Sequence, residues 1–430
     1  MVRHVGMPLA LTTAHPEPTF KQPFAVRRGR RGPGNEAAIT APGRSLRLLL
    51  AAAFLSSVDR MLIAPLLLPI AEDLGTTVAA VATTATVYFI GYGCTQVLWA
   101  FVADRIGRVN ALRLALALGG LATLASAAAP TIEVLMVLRA LAGAAFSAAV
   151  PTALTYVGDS VESRDRHGPL ADIMTATALG MAAATLGAAA LADLMNWRLP
   201  FAVGGVLVLG LVVALRRLPE PERTGPRLPI GASVRRVVTS RWAVAVIVLV
   251  AVEGALFLGA LPFLPTLLQA GGMSTALSGV VTAAYGAFIV VFAVLVKRQA
   301  RRRSPAFLIG VGGASATAAF AALVVDQGAA GVFAACALLA AAWAFAHSTM
   351  QKWITEVVPA ARAVAVSLFA SGLFLGSALG TALGSGAVAG GHYQAFAWGF
   401  ALATAPFAVV VTAARRAYRD DDLTPPKQPR

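Results

Sequence analysis

The sequence predicts an all-α membrane protein with twelve transmembrane helices, built as two pseudo-symmetric sets of six. Only 13% of its 430 residues are charged, 58% are apolar, and the mean hydropathy is +0.74. Apolar stretches of about 20 residues, the length that crosses a bilayer, recur between short polar breaks. These stretches are continuous rather than alternating, which favours helices, since a helix satisfies its backbone hydrogen bonds within one segment.

The polar breaks divide the chain into spans and connecting regions. We place the spans at residues 46–70, 78–102, 110–129, 132–156, 168–192, 199–217, 242–268, 275–296, 306–325, 329–351, 362–388 and 393–414. The regions are a disordered basic cytoplasmic tail at 1–44, a six-helix half at 45–218, a cytoplasmic linker at 219–240, a second six-helix half at 241–415, and a cytoplasmic tail at 416–430. Leu68 and Pro69 in span 1 recur as Leu264 and Pro265 in span 7, as two parallel halves predict.

Basic residues are concentrated in alternate polar breaks. The net charge is +15, and of the 35 Lys and Arg residues all but Arg60, Arg139 and Arg198 lie in the tails or in every second break. This positive-inside pattern predicts that both termini are cytoplasmic. The charge is therefore a topology signal and not a sign of nucleic-acid binding. The high alanine content and short loops fit a bacterial inner (plasma) membrane.

Five ionisable residues lie deep within predicted spans. Asp59 and Arg60 are in span 1, Arg139 is in span 4, Glu253 is in span 7 and His347 is in span 10. A charged side chain this far into a bilayer costs at least ~2.5 kcal/mol, so each is expected to face a cavity or a partner. We predict that these five residues line a cavity for substrate and protons.

These residues also have structural interpretations. Asp59 and Arg139 could form an ion pair that never meets the substrate. Glu253 has no obvious permanent partner, so its carboxyl group is expected to bind and release a proton as a cavity opens and closes. For His347, hydrogen-bonded packing explains the residue as well as function does.

Two motifs carry a family resemblance. The loop between spans 2 and 3 reads Ala103-Asp104-Arg105-Ile106-Gly107-Arg108, and span 4 contains Arg139-Ala140-Leu141-Ala142-Gly143. The first strongly resembles the loop signature of the major facilitator superfamily, and the second is similar to an Arg-x-x-x-Gly signature of the same family. The resemblance implies that spans 1, 4, 7 and 10 line a central cavity, and it links the arginine of span 4 to proton transfer.

The resemblance also implies a conformational gate in the loop after span 2. In the family, the acid that corresponds to Asp104 meets the cytoplasmic start of span 11, here near Arg362. Such an acid can accept hydrogen bonds from the free N–H groups at a helix start, and Gly107 permits the tight turn. Alternatively, Arg105 and Arg108 only enforce topology, although this does not explain the acid and the glycine.

Together these features predict a secondary transporter that works by alternating access. We predict proton-coupled efflux of drug-like or hydrophobic compounds by an antiporter, because acids in an apolar cavity suit cations. The alternatives are a proton-coupled uptake permease for a metabolite or sugar, and a non-transporting membrane sensor or scaffold. No P-loop or other catalytic motif is present in the sequence, so we expect no enzyme activity, cofactor or metal. The expected partners are a small-molecule substrate, protons and the lipid bilayer, with the protein acting as a monomer.

Overall fold

The computed structural model of the protein describes residues 42–162, 165–221 and 230–418. Within these ranges the chain forms helices and no strand, as predicted. The predicted tails lie almost entirely outside the described residues. The same holds for residues 222–229 of the predicted linker.

Within the described ranges, eleven helical segments are long and apolar enough to cross a membrane. The count is up to twelve if Gly231–Val238 and Arg241–Leu256, which meet at 84°, are taken as one broken span. We number the spans as in the predicted order and assign span 7 to Arg241–Leu256 and the following helix Phe263–Ala270. The others are Gly43–Asp73, Val78–Ile106, Arg108–Ser126, Ile132–Ser160, His167–Leu194, Arg198–Arg217, Thr275–Gln299, Pro305–Val325, Ala329–Val357, Pro359–Ala389 and Tyr393–Ala417.

Several helices extend beyond the predicted span ends. Span 2 continues to Ile106 and span 10 to Val357, because backbone hydrogen bonding continues past the apolar stretch. The predicted linker also contains a helix, Ile230–Val238, which buries Val237 and exposes Arg235. Its sharp bend relative to Arg241–Leu256 indicates that this amphipathic helix crosses the end of the bundle and does not extend span 7.

The packing of the first six spans recurs in the last six. Spans 2 and 4, 3 and 4, and 3 and 6 pack together, as do spans 8 and 10, 9 and 10, and 9 and 12. The two sets meet chiefly where span 2 packs on span 11 and span 5 on span 8. Spans 1, 4, 7 and 10 contribute less to this interface, and we call them the central spans.

The four central spans are the ones whose helices are interrupted. Span 1 contains a 3₁₀ turn at Ala64–Leu66, and span 4 divides at Ser147 and Ala148. Span 7 is broken between Leu256 and Phe263, and span 10 contains a π-helical turn at Trp343–His347. Such breaks redirect side chains and allow the two parts of a span to move separately.

Glycines allow span 11 to pack closely on span 7. A Cβ atom added to Gly376 would lie 1.8 Å from the carbonyl oxygen of Ala251, and one added to Gly380 would lie 2.0 Å from that of Ala255. These two glycines of span 11 therefore serve helix packing, which is the usual role of small residues between membrane helices.

The bundle is tightly closed at one end. We call the end that carries Arg105, Arg217 and Arg298 the basic face. At the opposite face, residues 61–67 of span 1 and 256–269 of span 7 are buried at every position, and the Gln269 side-chain amide donates to the carbonyl oxygen of Pro65 over 2.9 Å. Towards the basic face, residues 293–295 of span 8 are all exposed.

Candidate functional site

Asp59 and Arg139 form an ion pair in the interior of the first six spans. The two terminal nitrogens of Arg139 donate to the two carboxylate oxygens of Asp59 over 3.0 and 2.8 Å, and the Thr123 hydroxyl donates to Oδ1 over 2.5 Å. Arg139 and Asp59 are only 1% and 2% exposed. The rings of Tyr88 and Phe201 lie 4.8 and 5.3 Å from the guanidinium carbon.

This geometry bears on the two interpretations of the pair. Both oxygens of Asp59 have donors, and Arg139 also donates to the Asp59 backbone carbonyl over 3.1 Å. A buried pair in which both partners are hydrogen-bonded needs no further ligand. In this conformation the pair connects spans 1, 3 and 4, and its geometry favours the structural interpretation.

Arg60, the next residue, faces a different part of the protein. Successive helical residues point about 100° apart, so Arg60 is directed away from the Asp59 pair. It donates to the Ser57 hydroxyl over 2.8 Å, and its guanidinium carbon lies 5.6 and 5.5 Å from the rings of Tyr92 and Phe374. Arg60 is 9% exposed, and its Nε atom has no hydrogen-bond partner among the described residues. Within the described ranges, no carboxylate pairs with this guanidinium.

Glu253 and His347 form the second central pair. The Nδ1 atom of His347 lies 3.2 Å from Oε2 of Glu253, which corrects the expectation that Glu253 has no partner. The partner could not be predicted, because His347 is 94 residues away and its ring is placed by the π-helical turn. Trp343 stacks on the His347 ring with centroids 3.8 Å apart. Glu253 is fully buried, and its other oxygen, Oε1, is unpaired in the part of the chain that the structure describes.

Two uncharged polar side chains that the sequence did not single out have unpaired atoms in the interior of the described residues. Tyr285 of span 8 lies within electrostatic reach of both Arg60 and Glu253, and its buried hydroxyl has no hydrogen-bond partner within the described ranges. Gln96, one turn beyond Tyr92 on span 2, has a buried carbonyl oxygen that no described residue pairs with. Their sequence signal is weak, because neutral polar residues are common in membrane helices.

A small cavity of about 20 Å³ adjoins Tyr285. Its other walls include Met61 of span 1, Met181 of span 5 and Cys336 of span 10, so it lies between the two sets of spans. A space of this size holds about one water molecule. None of the five predicted charged residues is among the residues that line this cavity.

The predicted gate loop lies at the basic face. Asp104 forms an ion pair with Arg108 over 2.8 Å, and Arg108 also reaches Asp159 of span 4 at 3.4 Å. Arg105 stacks over the Phe101 ring at 4.1 Å. The structure thus shows contacts of this loop within the first six spans, while the predicted contact of Asp104 with span 11 stays a prediction.

Glu220 is the acid that contacts the free backbone N–H groups at the start of span 3. Its carboxylate accepts hydrogen bonds from the backbone N–H groups of Arg108 and Val109, the latter over 2.9 Å. Glu220 belongs to the predicted linker, and nothing in the sequence indicates this role. A carboxylate at a helix start satisfies unpaired N–H groups and interacts favourably with the helix dipole.

Gly107 makes this contact possible, which gives a testable prediction. Its φ of 101° and ψ of 157° lie in a region open almost only to glycine, and an added Cβ would lie 2.8 Å from the Glu220 carboxylate. We expect Gly107→Ala to lower the free energy of unfolding by about 1–3 kcal/mol. The measurement is unfolding of the detergent-solubilised protein followed by intrinsic fluorescence.

The matched control for this variant is Gly187→Ala. Gly187 lies in the helix of span 5, and an added Cβ there would meet open space. This substitution is expected to be neutral or slightly stabilising. Equal losses in both variants would contradict the role given to Gly107.

Comparison with known proteins identifies the family. The profile of the Major Facilitator Superfamily matches residues 49–364, which is more than half of the chain. The chain belongs to the Major Facilitator Superfamily. The proteins named below that resemble this chain include transporters.

Several named proteins share part of this sequence. The 4-hydroxybenzoate transporter PcaK of Pseudomonas aeruginosa is 38% identical over 123 residues, 28% of each chain. The niacin transporter NiaP of Acinetobacter baylyi is 26% identical over 164 residues, 38% of this chain and 37% of NiaP. The puromycin resistance protein pur8 of Streptomyces alboniger is 29% identical over 181 residues, 42% of this chain and 36% of pur8. The matches therefore span well under half of each relative.

Solved structures show the same superfamily fold. A mutant of the nucleoside transporter NupG aligns with a TM-score of 0.74 over 86% of this chain and 99% of NupG, at 15% identity. A bacterial homolog of the human lysosomal transporter Spinster, in an inward-facing and unoccupied conformation, aligns with a TM-score of 0.69 over 90% of this chain and 100% of the homolog, at 18% identity. At these identities the likeness concerns the fold alone.

Proposed function

We propose that the protein is a proton-coupled transporter of small organic anions, with aromatic carboxylates as its substrate class. The observation that carries this proposal is the buried Arg60 guanidinium, which has an unpaired Nε and no carboxylate partner within the described ranges. A buried cation without a counter-ion is unfavourable by several kcal/mol. A carboxylate substrate would supply the missing charge.

The surroundings of Arg60 favour an aromatic substrate. Tyr92 and Phe374 stand beside the guanidinium with ring centroids 4.0 Å apart, and Phe89 stacks near Phe374 at 6.0 Å. Aromatic rings pack favourably with one another in offset or edge-on arrangements. The named substrates of PcaK and NiaP, 4-hydroxybenzoate and niacin, are planar aromatic carboxylates, which supports the same class for this chain.

Glu253 and His347 are the groups we assign to proton coupling. Their contact places a carboxylate and an imidazole within hydrogen-bond distance in the buried interior. The second carboxylate oxygen of Glu253, Oε1, has no hydrogen-bond partner among the described residues and can bind a proton. Import of an anion is opposed by a membrane potential that is negative inside, and a co-transported proton cancels that charge. Uptake together with protons therefore suits an anionic substrate.

Alternating access follows from the arrangement of the two sets of spans. The end opposite the basic face is sealed, where the Gln269 side chain donates to the Pro65 carbonyl oxygen. We propose that the basic face is cytoplasmic, that the protein resides in the plasma membrane, and that the structure is the conformation open to the cytoplasm. Rocking at the interrupted spans 1, 4, 7 and 10 would reverse the opening.

Efflux of drug-like compounds is the second candidate. The unpaired Oε1 of Glu253 suits a cationic substrate, and pur8 is named as a puromycin resistance protein. In proteoliposomes, a panel of 4-hydroxybenzoate, nicotinate and puromycin separates the candidates. Saturable, pH-gradient-driven accumulation of the two acids supports the proposal, whereas transport of puromycin alone would favour proton antiport.

The proton site gives a second prediction. We expect Glu253→Gln to abolish accumulation of the substrate driven by a pH gradient, while exchange of labelled for unlabelled substrate continues, since exchange needs no net proton movement. The control is Asp172→Asn, which alters an exposed carboxylate near the end of span 5. Accumulation by Glu253→Gln at the wild-type level would show that this residue is not the coupling group.

A further inference from the structure

A cluster of four cations lies at the basic-face end of span 8. Lys297, Arg298, Arg301 and Arg302 fall within six residues and line one surface cavity of about 680 Å³. No carboxylate in the described part of the chain pairs with any of them. Such a cluster repels itself, and an anion bound from outside would relieve that repulsion.

The corresponding turn after span 2 shows that this arrangement is not required by the fold. There, Arg108 is paired with Asp104 and Asp159, and Arg105 stacks on Phe101. After span 8 the acid is replaced by Lys297. Positive charge at the end of a span sets topology in both turns. The second of these two turns has a group of cations around a cavity. Among the described residues, no acid pairs with those cations.

Besides the four cations and Gln299, two apolar residues line the cavity. Val294 and Leu295 belong to the spanning helix and are 55% and 40% exposed, and both line the same cavity as the cations. The site therefore combines an exposed apolar wall on the spanning helix with a cationic rim at the end of that helix. A free phosphate would use only the rim.

We propose that this cavity binds an anionic phospholipid, with the lipid phosphate at the four cations and an acyl chain along Val294 and Leu295. Clusters of Lys and Arg at the cytoplasmic end of a membrane helix are suited to anionic headgroups. A lipid with two phosphates matches four cations best. This site is separate from the Arg60 region and does not depend on the proposed substrate.

Native mass spectrometry of the full-length protein in detergent tests the site. The protein is titrated with cardiolipin, phosphatidylglycerol and phosphatidylcholine, and the variants are Arg301→Gln/Arg302→Gln in the turn and Lys297→Gln/Arg298→Gln in the helix. Each pair should weaken cardiolipin binding about 30-fold, with phosphatidylcholine binding unchanged. The matched control is Arg216→Gln/Arg217→Gln, an exposed basic pair at the end of span 6.

Each outcome decides for or against the site. Loss of cardiolipin binding in either pair at the end of span 8, with the control retained, supports it. Equal loss in the control would show general attraction to the basic face and overturn the site. Displacement of cardiolipin by inorganic pyrophosphate at equal concentration would identify a soluble anion as the ligand and overturn the lipid assignment. Equal binding by all variants would also contradict it.

Discussion

Replacement of Arg60 by glutamine is expected to lower the initial rate of 4-hydroxybenzoate uptake at low substrate concentration by at least about 100-fold. Loss of one charge of a buried ion pair costs about 3–5 kcal/mol, and about 1.4 kcal/mol corresponds to a tenfold change. The free Nε of Arg60 indicates that the guanidinium can accept such a pair without breaking an existing one among the described residues. The measurement is uptake into proteoliposomes under a fixed pH gradient.

Two further variants make this prediction specific. Arg60→Lys keeps the charge but loses the planar geometry that matches a carboxylate, so we expect an intermediate rate. Arg217→Gln removes an exposed cation at the end of span 6 and should leave the rate unchanged. Because Arg60 lacks a counter-ion within the described ranges, Arg60→Gln should unfold no more readily than the wild type. Uptake by Arg60→Gln at the wild-type rate would mean that the substrate charge is recognised elsewhere.

The second large effect concerns stability. We expect Asp59→Asn to lower the free energy of unfolding by about 3–5 kcal/mol, because it leaves the 1%-exposed Arg139 without its counter-charge. Arg139→Gln should have a similar effect, since it leaves the buried Asp59 carboxylate without its counter-charge. The double variant Asp59→Asn/Arg139→Gln should recover part of this loss, because neither charge is then left alone.

An exposed pair provides the comparison for this second prediction. Asp73 and Arg198 form an ion pair with side chains 46% and 35% exposed. Asp73→Asn should cost at most about 1 kcal/mol, since water replaces the lost partner. Unfolding of the detergent-solubilised variants measures both effects. A loss in Asp59→Asn no larger than in Asp73→Asn would show that the buried pair does not hold spans 1 and 4 together.

Hydropathy was enough to predict the helical spans, because only apolar helices of sufficient length are stable in a bilayer. It could not predict where span 7 breaks or that span 10 continues to Val357, since both depend on backbone hydrogen bonding and tertiary packing. The amphipathic helix Ile230–Val238 was missed because its pattern is short and interrupted by two arginines.

The charged residues of the candidate site were predictable, but their pairing was not. Asp59 and Arg60 carry equal sequence signals as adjacent ionisable residues in one span, yet of the two only Asp59 has a salt-bridge partner among the described residues. The difference arises from the rotation between successive helical positions and from Arg139, 80 residues away. Tyr285 and Gln96 gave no charge signal, and the burial of their unpaired polar atoms follows only from the packing of spans 2 and 8.

Binding of a carboxylate and its uncharged analogue tests the central claim most directly. The measurement compares 4-hydroxybenzoate with 4-hydroxybenzamide, using tryptophan fluorescence of purified wild type and Arg60→Gln. Recognition of the substrate charge by Arg60 predicts that the wild type binds the acid about 100-fold more tightly than the amide, and that Arg60→Gln binds both equally weakly. Equal affinity of the wild type for the acid and the amide would contradict an anion site at Arg60.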